Sequence, residues 1–143
     1  MTVKQLSVFV ENRPGRLSAI TELLGNAGIN IRAMSIADTK DFGILRLIVD
    51  DAERSVSVLK KEGCSVTLSN VLVLRIADRP GGLAEAMKVL YGYNISVEYM
   101  YAAFINTENN TACLVLRVDD NDKAVTALEE KGYKLLSQDE LGL

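Results

Sequence analysis

The 143-residue chain has no histidine, no tryptophan, two prolines and two cysteines. Without histidine it lacks the commonest general base at neutral pH and the commonest metal ligand. Cys64 and Cys113 stand singly in strand-like runs rather than as a Cys-x-x-Cys pair. Each reads as a buried, reduced thiol, which leaves zinc, redox-motif and Cys-His chemistry without their parts. No apolar run approaches the ~18 residues that a membrane-spanning helix needs. Basic residues are not in excess, since residues 1–68 carry nine Lys/Arg against eight Asp/Glu and residues 69–143 carry seven against eleven, for a net charge of −3. That balance gives no electrostatic footprint for nucleic acid. Met1-Thr2-Val3-Lys4-Gln5 does not lead from a charged stretch into an uninterrupted apolar one, so the expectation is a cytoplasmic chain without a secretory signal. What is present is apolar surface, 48% of residues, enough to expect a folded core.

Both prolines fall in matching strings, Asn12-Arg13-Pro14-Gly15-Arg16-Leu17 and Asp78-Arg79-Pro80-Gly81-Gly82-Leu83. Each string follows an alternating run (Leu6 to Val10, Leu72 to Ile76) and precedes an amphipathic helix pattern (Leu17, Ile20, Leu23, Leu24; Leu83, Ala86, Met87, Leu90). Each helix pattern ends at a glycine suited to a left-handed cap, Gly28 and Gly92, ahead of Ile29-Asn30-Ile31 and Tyr93-Asn94-Ile95. The offset of 66 between Pro14 and Pro80 thus falls to 64 between Gly28 and Gly92, so the second helix is expected to be two residues shorter. Later, Leu45-Arg46-Leu47-Ile48-Val49-Asp50-Asp51 parallels Leu114-Val115-Leu116-Arg117-Val118-Asp119-Asp120, and a short helix and a last strand follow both. The paired aspartates suit a helix N-terminus, which explains them without a metal.

Each copy reads β-α-β-β-α-β over residues 1–69 and 70–143, an α+β class in which an antiparallel sheet carries its helices on one face. No Pro/Gly/Ser linker separates the copies. A bare sheet face or edge on each favours packing against its twin or another chain.

The repeated turn has two readings. Asn12 and Asp78 are good N-cap types, with proline near the first helical turn, and this is ordinary helix-start chemistry. Free N–H groups at a helix start, approached closely past Gly15 or Gly81, also bind a carboxylate or phosphate. Asn30 and Asn94 offer donors and an acceptor to a ligand's ammonium and carboxylate, or simply tolerate an unusual backbone beside glycine.

The Asn/Asp-Arg-Pro-Gly-x-Leu turn, the helix after it, and Gly-Ile-Asn-Ile or Gly-Tyr-Asn-Ile together resemble the ACT domain. The resemblance covers nearly the whole chain as two tandem domains with no catalytic domain attached. It implies ferredoxin-like βαββαβ modules that bind an L-amino acid at interfaces between domains, in a pocket made by the turn and helix start of one and the second strand of a neighbour. Carried over, the first site comprises Asn12, Arg13, Pro14, Gly15, Arg16, Leu17, Asn30, Ile31 and Met34. The second comprises Asp78, Arg79, Pro80, Gly81, Gly82, Leu83, Asn94, Ile95 and Glu98. The copies depart from each other where Gly82 replaces Arg16 and where Glu98 falls opposite Met34. Glu98 is either a surface carboxylate or a contact for a basic ligand side chain. Tyr91, Tyr93, Tyr99 and Tyr101 are expected to pack at a domain or chain interface.

Two functions from different classes remain. One is an amino-acid-sensing regulatory protein, a homodimer without cofactor or metal, that signals to a partner enzyme or regulator. The other is an interaction or dimerisation module without ligand. Catalysis is not expected, because no base stands out.

Overall fold

The alternating runs become strands and the 3.6-period patterns become helices in a computed structural model that describes residues 1–38, 41–103 and 109–143. The order is β1 (Val3–Glu11), α1 (Arg16–Asn26), β2 (Ile31–Asp38), β3 (Phe42–Val49), α2 (Ala52–Lys61), β4 (Ser65–Ala77), α3 (Gly82–Gly92), β5 (Val97–Ala102), β6 (Thr111–Val118), α4 (Asn121–Glu130) and β7 (Lys134–Leu135). Contacts divide the chain into a first unit, Lys4–Ser69 with Leu143, and a second unit, Asn70–Gly142 with Met1–Val3. The long strand β4 crosses the junction and serves both units, its early part beside β1 and its later part between β6 and β7. In the first unit β3 lies between β1 and β2, and in the second β6 lies between β4 and β5, all antiparallel. Both units are therefore β-α-β-β-α-β modules.

Alternation decides which face is buried. In the first unit Leu6, Val8 and Val10 of β1 and Leu45, Leu47 and Val49 of β3 pack with Ile20 and Leu24 of α1 and Leu59 of α2. Leu72, Leu74 and Ile76 of β4 meet Ala86 and Leu90 of α3 and Leu128 of α4 in the second. Each fully buried leucine contributes roughly 2 kcal/mol of transfer free energy. The paired aspartates act as caps: Asp51 and Asp120 accept from the backbone N–H of Arg54 (3.0 Å) and Lys123 (3.1 Å). Their predecessors, Asp50 and Asp119, accept from the N–H of Asn30 (3.0 Å) and Ser96 (3.1 Å), fastening the start of β2 and β5.

Four expectations change. The second helix is not shorter, since α1 and α3 both have 11 residues. Gly92 closes α3 as a helical residue; the left-handed position after it is Asn94 (φ 56°), the counterpart of Gly28 (φ 74°). Asparagine tolerates positive φ, so the second unit needs no glycine there. The offset of 66 therefore persists, and Asn30 corresponds to Ser96 rather than Asn94. Both edge strands carry an irregularity at the same place, between Ile31 and Ala33 and between Val97 and Tyr99. Arg32 is thus the counterpart of Glu98. Met34, opposite Leu47, corresponds to Met100, opposite Leu116. Finally, Cys113 is buried but Cys64 is only half-buried.

Candidate functional site

In the first unit the repeated turn is held from both sides. The Asn12 N–H donates to the Asp41 carbonyl (3.0 Å) and the Arg13 N–H to the Glu11 carbonyl (2.9 Å). The Arg13 side chain turns back to the end of β1, with Nε 3.1 Å from Glu11 Oε2. Gly15, at φ 85°, takes the N-cap position of α1 in place of the expected Asn12, and as glycine it brings no side-chain cap. The same holds for Gly81 and Asp78 in the second unit, where no side chain caps α3. This sets α1 and α3 apart from α2 and α4, whose aspartates consume a first-turn N–H. At the repeated turns the N-cap glycine supplies no side-chain acceptor to the first-turn N–H groups, which carry the positive end of the helix dipole.

Val10, Glu11, Asn12, Arg13, Leu17, Ile36 and Gly43 enclose a pocket of about 160 Å³ at the first turn. At ~30 Å³ per water, its 160 Å³ corresponds to roughly five water molecules, the scale of a small amino acid. Three expected residues, Asn12, Arg13 and Leu17, line it; Pro14 and Gly15 do not. Arg16 does not: its side chain lines a separate groove along α1. Asn30 and Ile31 are not brought to the turn within the unit. They open β2, whereas the pocket takes Ile36 from its far end, six residues and roughly 20 Å along the strand. A crossover helix returns the chain to the opposite end of the sheet, so the second strand reaches the turn only as it finishes. Asn94, Ile95 and Glu98 likewise lie at or just before the start of β5, beside Val118 at the end of β6, away from the second turn, where the Asp78 N–H donates to the Asn110 carbonyl (2.7 Å). Val10, Glu11, Ile36 and Gly43 were missed, although strand direction alone points to Ile36.

The second turn is built from the same backbone with different partners. Arg79 Nη2 donates to both carboxylate oxygens of Glu85 (2.9 and 2.8 Å), in the first turn of α3. That hydrogen bond and its charge raise the Arg79 pKa above the ordinary arginine value. A Cβ on Gly82 would collide with the Ala77 carbonyl oxygen, so glycine is required there. Glu98 sits 3.4 Å from Arg117 Nε. Of the four tyrosines, Tyr91 is 85% exposed, Tyr93 donates to Glu130 (2.7 Å) and Tyr99 stacks with Tyr101 at 6.5 Å. Among the described residues no three His, Cys, Asp or Glu side chains are placed to hold a metal, and no helix is long and apolar enough to cross a membrane.

Two β-α-β-β-α-β modules with matching strand–Arg-Pro-Gly–helix turns define a tandem ferredoxin-like architecture. The chain belongs to the ACT domain pair family, whose model matches residues 1–142. It is similar to protein BT0572 from Bacteroides thetaiotaomicron, at 38% identity and TM-score 0.91 over 99% of this chain and 96% of that one. The fold is shared with the ligand-free regulatory subunit of aspartate kinase from Thermus thermophilus (TM-score 0.66, 13% identity, 90% and 92% covered). It is also shared with the regulatory subunit of aspartate kinase from Thermus flavus (TM-score 0.63, 13% identity, 89% and 90% covered). No curated protein sequence matches the chain.

Proposed function

We propose that the chain is an amino-acid-sensing regulatory protein rather than an enzyme, with ACT domains at residues 1–69 and 70–143, and that its ligand is held at the first turn. The observation that carries this reading is a helix start with a glycine at its N-cap, beside a pocket of amino-acid size. The first-turn N–H groups of α1 and the Arg13 guanidinium suit the ligand's carboxylate, and the Glu11 carboxylate suits its ammonium. Val10, Leu17 and Ile36 leave room for a small apolar side chain. Regulatory subunits of aspartate kinase with this fold support the regulatory role. Ligand binding favours one domain arrangement, which a partner enzyme or regulator reads through its differential affinity. The chain acts in the cytoplasm as a homodimer; Phe9 and Phe42, in ring contact at 4.9 Å and both exposed, give it an apolar patch for association.

Isothermal titration of the full chain against the twenty amino acids tests this reading. Heat from small apolar amino acids, lost in Gly15→Asp, is expected; silence across the panel from folded protein rejects it. The second reading, an interaction module without ligand, draws on the second turn, where Arg79 is already occupied by Glu85. A stoichiometric partner recovered without any amino-acid heat would favour it.

A further inference from the structure

The groove that takes Arg16 away from the turn has a character of its own. It measures about 290 Å³, near the lower end of the ~300–1,000 Å³ typical of small-molecule sites. Its polar rim is Arg16, Glu22, Asn26, Glu62 and the half-buried Cys64, over a floor that includes Ile20 and Leu23. It shares no residue with the turn pocket. Arg16 Nε is shielded from solvent and has no hydrogen-bond partner, an uncompensated donor of the sort that a ligand or ordered water satisfies.

The second unit serves as an internal control. At the positions of Ala19 and Cys64 it carries Glu85 and Tyr133. The Tyr133 ring packs on the second core, where both Glu85 and Arg79 act on it. Gly82 stands in place of Arg16, so the anchoring guanidinium is absent. Lys88 and Lys131 stand in place of Glu22 and Glu62, inverting the rim charge. Small residues, Ala19 and Cys64, line the groove in one copy, and larger ones, Glu85 and Tyr133, stand at the matching positions of the other.

We propose that this groove is a second small-molecule site on the first unit, distinct from the turn pocket, and that its ligand is a diamino monocarboxylate. One guanidinium and two carboxylates on the rim complement one carboxylate and two ammonium groups. Arg16 takes the carboxylate through its forked donors, while Glu22 and Glu62 take the amines. Asn26 offers an amide to either.

Cys64 supplies the readout, because Cys113 is only 3% exposed and its thiol is protected in the folded chain. The probe is L-ornithine, followed by the rate of Cys64 modification with a chromogenic disulfide and by calorimetry. Ornithine is expected to bind and to slow modification in a saturable way. Putrescine, which lacks the carboxylate, and glutarate, which lacks amines, are expected to protect far less. Glu62→Lys, an exposed change that copies Lys131, should weaken ornithine roughly tenfold by removing one charge-assisted contact. Ala19→Glu with Cys64→Tyr, copying the second unit, should abolish the calorimetric signal. Gly15→Asp should leave ornithine binding intact while removing the small apolar amino acid, so failure at one site is distinguishable from failure at the other. An unchanged Cys64 rate without heat overturns the proposal. So does ornithine binding that is indifferent to Glu62→Lys or lost in Gly15→Asp.

Discussion

The two repeated turns share a backbone and differ in what their arginine does. In the first unit Arg13 pairs backward with Glu11 at the end of β1, leaving the start of α1 without a nearby carboxylate in its first turn. In the second, Arg79 pairs forward with Glu85 inside the first turn of α3. The counterpart of Glu85 is Ala19, and the counterpart of Glu11 is Ala77, so one acidic residue has changed sides of the turn. A carboxylate in the first helical turn already occupies the favourable end of the macrodipole and repels a second anion. Gly82 reinforces the difference by letting α3 start hard against the Ala77 carbonyl. Duplication kept the turn as architecture in both copies and left the electrostatics proposed for ligand capture in one.

The largest expected effect comes from exchanging the residues that differ most. Gly82→Arg places a Cβ against the Ala77 carbonyl, backbone that cannot move without displacing β4. It should cost about 3 kcal/mol by chemical denaturation, in the range of severe overpacking. The reciprocal Arg16→Gly meets no such clash and should cost under ~1 kcal/mol, as glycine near a helix start does. Equal losses would mean that the two helix starts are packed alike, against the comparison.

Next is the pair of left-handed glycines. Gly15→Asp and Gly81→Asp have nothing within 4 Å of the new Cβ, so each meets only the strain of positive φ, about 1 kcal/mol. Their stabilities should fall together while their binding diverges. Gly15→Asp sets a carboxylate where the ligand's own carboxylate belongs and should abolish amino-acid heat. Gly81→Asp should leave it within twofold. A loss of binding in both variants would make the second turn a site as well.

Much of the fold was legible in the sequence because alternation and helical period are set by which face is buried, and Leu6, Val8 and Val10 or Leu72, Leu74 and Ile76 declare that face directly. The aspartate caps were legible for a similar reason, being local chemistry. Gly92 misleads because glycine ordinarily marks a left-handed residue, whereas here Asn94 adopts that conformation itself. Two residues of misregister then placed Glu98 opposite Met34. The site was half legible. Asn12, Arg13 and Leu17 are sequence neighbours and came together, but Ile36 and Gly43 reach the pocket through strand direction and pairing, which spacing along the chain does not record. Arg16 left the pocket because the helix turns its side chain toward the start of β4.

That misregister yields a third test. Gly28 and Asn94 end their helices at φ 74° and 56°, with open space around Gly28. Asn94→Gly should stabilise the second unit by about 0.5 kcal/mol or less, since asparagine already tolerates the conformation. Asn94→Ala and Gly28→Ala should each cost about 1 kcal/mol. A neutral Asn94→Ala would mean that the left-handed cap is not what closes α3.

The smallest effect distinguishes the helix ends. Tyr93, which corresponds to Ala27, donates its phenol to Glu130 Oε2 at 2.7 Å, tying the end of α3 to the end of α4 in the second unit only. That hydrogen bond, followed by burial and the carboxylate's charge, holds the phenol above its ordinary pKa of 10.0. A folded-state pKa above the unfolded value means that the folded chain retains the proton longer. The stabilisation is therefore complete below pH ~10 and is lost as pH rises through the folded value. Ultraviolet titration of tyrosine, taken as the difference between the native chain and Tyr93→Phe, should show this phenol ionising late. Glu130→Gln removes the carboxylate charge and should bring the titration back toward the ordinary value. If the difference curve is the same with glutamine at 130, the tie does not set the phenol's proton affinity, and this contrast between the units falls away.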